Sequence, residues 1–362
     1  MIKLLIVDDS ALMRRVLGSV FKDLDDFEIA FARNGMEALE RLREFQPHVI
    51  TLDVHMPVME GLACLDRIMV ERPCPVIMVS SLTATGADET LRAIELGAVD
   101  FILKPSGAIS LAMDEFAPLL LEKVRTAARA RVPSASRLAE RVRLKLQAAG
   151  SSLRQAAPAP PVTPKPVAVS GQVEGVVLIG TSTGGPPALD EVLSRLPADF
   201  PWPILVAQHM PASFTGPLSR RLDKLCPLTV VEVTSPISLS PGYVYVGKGD
   251  ADIVVDSRNG TLCADVAANG AEYRWHPSVD RLVASCMQHF EPRRLVGVLM
   301  TGMGNDGAAA MTQMKTGGGR TIAEAEETAV VWGMPGELVK SGGATVVLPN
   351  HRIAAQLLQW LR

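Results

Sequence analysis

Between residues 155 and 166 the chain reads Gln-Ala-Ala-Pro-Ala-Pro-Pro-Val-Thr-Pro-Lys-Pro. A proline has no backbone N–H and fixes its own φ, so neither a helix nor a central strand survives at that density. The stretch is an extended, semi-rigid spacer. It divides a 362-residue chain that is long enough for two or three domains. Just before it, Arg137 to Ala149 is rich in Ala, Arg and Leu, with Leu138, Val142, Leu144 and Leu146, and fits a short solvated basic helix. Residues 126–172 are therefore assigned to a linker, with folded domains over 1–125 and 173–362.

The first domain alternates short apolar runs with amphipathic segments. Lys3–Val7, Phe27–Ala32, His48–Asp53, Pro75–Ser80 and Val99–Leu103 read as strands. Ser10–Lys22, Gly35–Phe45, Gly61–Arg72 and Ala87–Leu96 carry helical periodicity. The alternation implies an α/β fold, a five-stranded parallel sheet covered on both faces. Ligands of such sheets gather at the carboxyl ends of the strands. Asp8 and Asp9 end the first strand, Asp53 the third, Ser80 the fourth and Lys104 the fifth. Converging carboxylates repel one another unless a hard cation lies among them, and Mg²⁺ suits oxygen ligands and a phosphoryl group. Each residue alone fits a helix cap or a solvated lysine; five such residues at four strand ends together do not. Residues 1–125 resemble a response-regulator receiver domain through Val7-Asp8-Asp9-Ser10, Leu52-Asp53-Val54-His55-Met56-Pro57, Gly61, Val79-Ser80 and Lys104-Pro105. The resemblance implies Asp53 as phospho-acceptor, Asp8 and Asp9 as further metal ligands, and Ser80 and Lys104 as phosphoryl contacts. It also matches Phe101 to the aromatic that changes rotamer on activation.

The totals exclude several classes. A net charge of −3 and a pI near 6.1 speak against nucleic acid and anionic membranes as partners. The apolar start runs straight into Asp8-Asp9, which reads as a strand and not as a signal peptide. No apolar run approaches the ~18 residues of a transmembrane helix. Cys64, Cys74, Cys226, Cys263 and Cys286 form no C-x-x-C pair and read as reduced thiols of a cytoplasmic protein.

In the second domain the apolar run Val176–Ile179 stops in Gly180-Thr181-Ser182-Thr183-Gly184-Gly185-Pro186-Pro187, ahead of a helix-compatible stretch. Such a turn exposes backbone N–H groups and lifts Ser182 clear of the sheet. Three readings stand: a phosphate cradle, a nucleophilic serine, or a structural glycine turn. The spacing matches neither dinucleotide nor P-loop fingerprints, nor G-x-S-x-G. Further strands, Pro203–Ala207, Leu228–Val233 and Arg294–Met300, with closing strands Thr321–Ala323 and Ala344–Leu348, indicate a second doubly wound sheet, and Gly242–Val246 and Asp252–Asp256 both alternate as strands. Asp252–Asp256 and Leu262–Val266 flank the turn signal Arg258-Asn259-Gly260 and mark a small antiparallel insertion. His209 follows one strand, and Asp306 lies in a glycine-rich loop after another. A serine needs an imidazole to take its proton, and the imidazole needs a carboxylate to fix its tautomer. Ser182, His209 and Asp306 supply that set; each alone is as well read as a strand-end or capping residue. The backbone N–H groups of Thr183 and Met303 are the candidate oxyanion donors. His276, beside a helix N-terminus, ranks as a substrate contact at most. No His or Cys cluster points to a metal here.

Residues 173–362 resemble the catalytic domain of the chemotaxis receptor methylesterases (protein-glutamate methylesterases). The matching stretches are Ile179–Gly185, Gln208-His209-Met210-Pro211, Pro277-Ser278-Val279-Asp280, Thr301–Gly307 and Gly333-Met334-Pro335. Ser182, His209 and Asp306 fall on that family's triad positions. The resemblance implies hydrolysis of glutamyl γ-methyl esters on chemoreceptor cytoplasmic regions and, in many members, deamidation of receptor glutamines. It further implies phosphorylation of Asp53 by a chemotaxis histidine kinase, relieving obstruction of the Ser182 site by the receiver. A cytoplasmic monomer is expected. The alternatives are a phospho-dependent binding regulator without catalysis, or a methylesterase paralogue of another signalling pathway. Three places depart from the family pattern: His55 for Glu, His276 for Arg or Lys, and Ala323-Glu324-Ala325-Glu326 for Ala-Gln-Asp-Glu.

Overall fold

Runs of aliphatic residues that are buried on both faces set the strands of both units. The computed structural model describes residues 1–80, 84–105, 109–132 and 173–361. The basic stretch Arg137–Ala149 and the proline-rich spacer lie outside the described residues. The chain divides into two units, Met1–Thr163 and Pro164–Arg362.

In the first unit, β1 (Ile2–Val7), β2 (Phe27–Ala32), β3 (Val49–Asp53), β4 (Val76–Ser80) and β5 (Asp100–Leu103) form a sheet in the order β2-β1-β3-β4-β5. Every pairing is parallel. All residues of β3 and β4 are buried, which is why both are dominated by aliphatic residues, with Thr51, Asp53 and Ser80 as buried polar exceptions. The helices are α1 (Ala11–Ser19), α2 (Gly35–Phe45), α3 (Gly61–Glu71), α4 (Ala84–Leu96) and α5 (Ile109–Ala127). The Ser10 hydroxyl accepts from Met13 N–H and Asn34 accepts from Glu37 N–H, capping α1 and α2. The chain leaves β1 toward β2 on one side and reaches β3 on the other, so a crevice opens at their carboxyl ends.

The second unit has β6 (Val176–Thr181), β7 (Ile204–Gln208), β8 (Thr229–Val233), β9 (Ile237–Ser238), β10 (Tyr243–Gly247), β11 (Ala251–Arg258), β12 (Thr261–Ala268), β13 (Leu295–Leu299), β14 (Arg320–Glu324) and β15 (Val346–Leu348). A seven-stranded sheet runs β15-β14-β13-β6-β7-β10-β8, parallel throughout. The fully buried β6 sits between β13 and β7. The antiparallel sheet β11-β12-β9 holds the expected hairpin, its turn made by Asn259 (φ 51°) and Gly260 (φ 77°). The helices are α6 (Gly185–Leu193), α7 (Ala212–Leu225), α8 (Val279–His289), α9 (Ala308–Thr316), α10 (Met334–Lys340) and α11 (Asn350–Leu361). Among the described residues, no helix is long and apolar enough to cross a membrane.

Candidate active site

Ser182, His209 and Asp306 follow β6, β7 and β13, three adjacent strands of the seven-stranded sheet. Backbone bonds tie the three turns together: His209 N–H donates to Thr181 O (3.0 Å), and Ser182 N–H to Thr301 O (3.0 Å). The buried Gln208 side chain finishes the clamp. It accepts from Thr181 Oγ1 (2.7 Å) and donates to both Ser182 O (3.0 Å) and His209 O (3.1 Å). Gly184 opens α6 with φ 77°, a left-handed conformation that glycine adopts without strain. Gly302 must also be glycine, because a Cβ there would lie 2.8 Å from Ser182 Cβ. The strand-end loop of β13 thus runs directly against the serine.

His209 and Asp306 are in contact, Nε2 to Oδ2 at 2.8 Å, and both side chains are 6% exposed. Asp306 also accepts from Val279 N–H (2.7 Å), Asp280 N–H (3.0 Å) and Ser278 Oγ (3.1 Å), at the N-terminus of α8. Burial works to raise the Asp306 carboxyl. The His209 hydrogen bond and charge, with the N–H groups of Val279 and Asp280, outweigh it and hold the group below the ordinary carboxylate range. The neighbouring Asp280 is pushed the other way, by its own burial first and then by the Asp306 charge. The environment therefore favours the ionised form more at Asp306, which faces the imidazole, than at Asp280. With Nε2 committed to Asp306, the free nitrogen is Nδ1, which is buried with no hydrogen-bond partner among the described residues. Ser182 Oγ hydrogen-bonds to no described residue either. Such serine–histidine bonds commonly tighten only when substrate arrives.

Of the two oxyanion candidates, Met303 is 4% exposed, and its N–H donates to no described residue. Thr183 is also 4% exposed, and its carbonyl accepts from Thr301 Oγ1 (2.8 Å). His276 is paired with a carboxylate other than that of the triad. Its Nδ1 meets Asp252 Oδ1 at 2.9 Å, while Asp252 also takes Arg281 Nη1 (2.6 Å) and Ser278 N–H (2.7 Å).

Three supporting residues escaped the sequence reading as functional groups. Gln208 was visible only as part of a matching stretch. Trp275 stacks on the His209 ring, 5.4 Å between centroids and 12° from parallel. Glu324, at the end of β14, is fully buried and accepts from Thr301 N–H (2.8 Å) and Thr328 Oγ1 (2.9 Å). Its departure from the family pattern was the sole signal in the sequence.

In the first unit, Asp8, Asp9 and Asp53 bring one oxygen each within 4.8 Å of one another. Asp8 is fully buried, Asp53 3% exposed and Asp9 exposed. Lys104 Nζ reaches Asp53 Oδ2 (2.7 Å) and Asp8 Oδ2 (3.0 Å). Burial raises the Asp53 carboxyl, and the Lys104 bond and charge offset only part of this. For Lys104, burial works downward, yet Asp53 and Asp8 together raise it, so it stays cationic. Ser80 is buried at the end of β4, with Oγ donating to Gly86 O (3.4 Å), and Phe101 is buried on β5. His55 Nε2 lies 3.0 Å from Glu89 Oε2 of α4. Three hard oxygen donors in one crevice fit a divalent cation.

A receiver-type sheet with clustered strand-end carboxylates, followed by an α/β domain that assembles Ser, His and Asp at adjacent strand ends, defines a response regulator with a hydrolase output domain. Comparison with known proteins gives the same result. The family model for the CheB methylesterase matches residues 177–357, and that for the response regulator receiver domain matches residues 4–113. The chain is 56% identical over 360 residues to protein-glutamate methylesterase/protein-glutamine glutaminase 2 of Rhodopseudomonas palustris, covering 99% of this chain and 98% of the relative. It is 52% identical to protein-glutamate methylesterase/protein-glutamine glutaminase 3 of Rhodospirillum rubrum, covering 100% and 96%. Among solved structures it is similar to the Thermotoga maritima CheB methylesterase catalytic domain, with a TM-score of 0.50 and 38% identity over 53% of this chain and 99% of that one. The chain belongs to the CheB methylesterase family.

Proposed function

We propose that this chain hydrolyses γ-methyl esters of glutamates on chemoreceptor cytoplasmic regions, and deamidates receptor glutamines at the same site, under control of Asp53 phosphorylation. The observation that carries the catalytic half is the His209–Asp306 pair, with Nδ1 left without a hydrogen-bond partner among the described residues and His209 following the strand next to the one that precedes Ser182. Ser182 Oγ attacks the ester carbonyl while Nδ1 of His209 takes the hydroxyl proton. Asp306 keeps the other proton on Nε2 and stabilises the imidazolium. The carbonyl oxygen becomes an oxyanion held by the N–H groups of Met303 and Thr183. Collapse breaks the ester C–O bond, and His209 returns the proton so that methanol leaves. Water then attacks the acyl-serine, with His209 again as base, and frees the glutamate carboxylate. A glutamine side chain would release ammonia by the same steps.

In the receiver, Asp53 is the phosphate acceptor from a histidine kinase of the chemotaxis class. Asp8, Asp9 and Asp53 would hold a Mg²⁺ ion, which supplies charge neutralisation for the phosphoryl oxygens. Lys104 is placed to leave Asp53 for a phosphoryl oxygen, and Ser80 Oγ to give up Gly86 O for another.

The test of the triad is methanol release from methylated receptor. Ser182→Ala and His209→Ala each abolish it with the fold intact, and the double variant is no worse than either single one, since the pair acts as a unit. Substantial esterase activity in folded Ser182→Ala would sink the mechanism.

A further inference from the structure

One hydrogen bond cannot orient an imidazole. The bond from Nε2 to Asp306 fixes one corner of the His209 ring but leaves its plane free to turn about the bond. The reacting nitrogen is Nδ1, which has no hydrogen-bond partner among the described residues. What meets the ring's face is the indole of Trp275, 5.4 Å away between centroids and 12° from parallel, a separation at which offset stacking is favourable.

Trp275 is itself held. The guanidinium of Arg274 lies 4.7 Å from the indole centroid. Next in the chain, His276 is tied to Asp252, which is 1% exposed and further fixed by Arg281 and Ser278 N–H. Toward the loop of β13, the indole nitrogen faces Gly304, where a Cβ would stand 3.4 Å from Nε1. The Trp275 ring is therefore anchored at its own loop and bounded by the loop that carries Asp306.

We propose that Trp275 is a positioning residue that sets the plane of the His209 imidazole, so that Nδ1 points at the Ser182 hydroxyl. This inference rests on the triad reading above. A fixed plane matters because proton transfer demands alignment, and a misplacement of about 1 Å at a reacting group costs about 10²-fold in rate. Replacing the indole by a flexible apolar side chain keeps most of the burial but removes the plane. Replacing it by another ring keeps the plane.

The experiment compares Trp275→Leu with Trp275→Phe in the full chain, using methylated receptor as substrate. Trp275→Leu is expected to lower kcat by about 10- to 100-fold, with KM changed less than about 3-fold, and Trp275→Phe to recover most of the loss. ¹⁵N NMR of the labelled imidazole gives the second readout. In the wild type the Nε2–H vector shows the relaxation of a rigid group, and in Trp275→Leu its order parameter falls as the ring plane moves, with the tautomer set by Asp306 unchanged. A merely structural tryptophan would lose equally with Leu and Phe and leave the His209 ring as rigid as in the wild type, and that result overturns the proposal. If Trp275→Leu does not fold, Trp275→Met against Trp275→Tyr reads the same contrast. Activity surviving in Ser182→Ala would mark failure of the triad itself. Full kcat in Trp275→Leu, with Ser182→Ala inactive, would defeat the positioning role alone.

Discussion

Glu324 is a carboxyl group in a place that rejects charge, and the consequence is measurable. The residue is 0% exposed, and burial pushes its carboxyl from 4.5 up to about 7, although Thr301 N–H and Thr328 Oγ1 both donate to it. A rise of that size corresponds to about 3 kcal/mol between the two protonation states. Because the folded-state value is raised, the unfolded chain ionises first. Stability is fully present below about pH 4.5, falls as pH climbs toward 7, and levels off once the folded group is also ionised. A glutamine fits the same space. Its oxygen accepts from Thr301 N–H and its NH₂ donates to Thr328 Oγ1, whose own hydrogen can turn to Ala325 O at 3.4 Å. Glu324→Gln should therefore match the wild type near pH 4 and exceed it by about 3 kcal/mol at pH 8. Urea unfolding of the full chain, followed by tryptophan fluorescence, measures this, because Trp202, Trp275, Trp332 and Trp360 all lie in the second unit. A stability gap that does not change between pH 4 and pH 8 would refute the burial argument, as would a variant less stable than the wild type at pH 8.

The other predictions concern the two sites directly. Asp306→Asn leaves the fold but presents an NH₂ to a pocket of donors. It should reduce kcat by about 10³–10⁴-fold and lower stability by about 1–3 kcal/mol, read by methanol release and urea unfolding. Asp53 should take label from a small-molecule phosphodonor only when Mg²⁺ is present, and Asp53→Asn should stay unlabelled; metal-independent labelling would break the strand-end carboxylate reasoning.

The sequence was most readable where strands are buried on both faces. β3, β4 and β6 are buried from end to end and mostly aliphatic, so they stand out as strands, and chemistry on a parallel sheet collects at their carboxyl ends. The elements that escaped lack such a signature. α5 carries Pro118 inside it, α10 follows a glycine and a proline-bearing first turn, and the two residues of β9 are too few to set a period. Tyr243–Gly247 and Asp252–Asp256 look alike as sequence, yet the first joins the main parallel sheet and the second the antiparallel one, a distinction made by pairing partners distant in the chain.

The same limit applies inside the site. Ser182, His209 and Asp306 stand out in the sequence because each follows a buried strand, and the strand order β13-β6-β7 puts those three strands side by side. Which imidazole nitrogen faces Asp306 was not legible, since it depends on side-chain torsions. Nor were the contacts of Gln208, Trp275 and Glu324, which cross between elements well separated in sequence. Two departures from the family pattern, His276 and Glu324, fall on residues that hold the site's walls: one beside Trp275 through Asp252, the other behind Thr301. Triad residues are constrained by the atoms they exchange with substrate. A wall residue is constrained only by what it must hold in place, and several side chains can do that. The substitutions at His276 and Glu324 change groups packed behind the candidate triad, one through Asp252 and the other through Thr301, and leave Ser182, His209 and Asp306 in place.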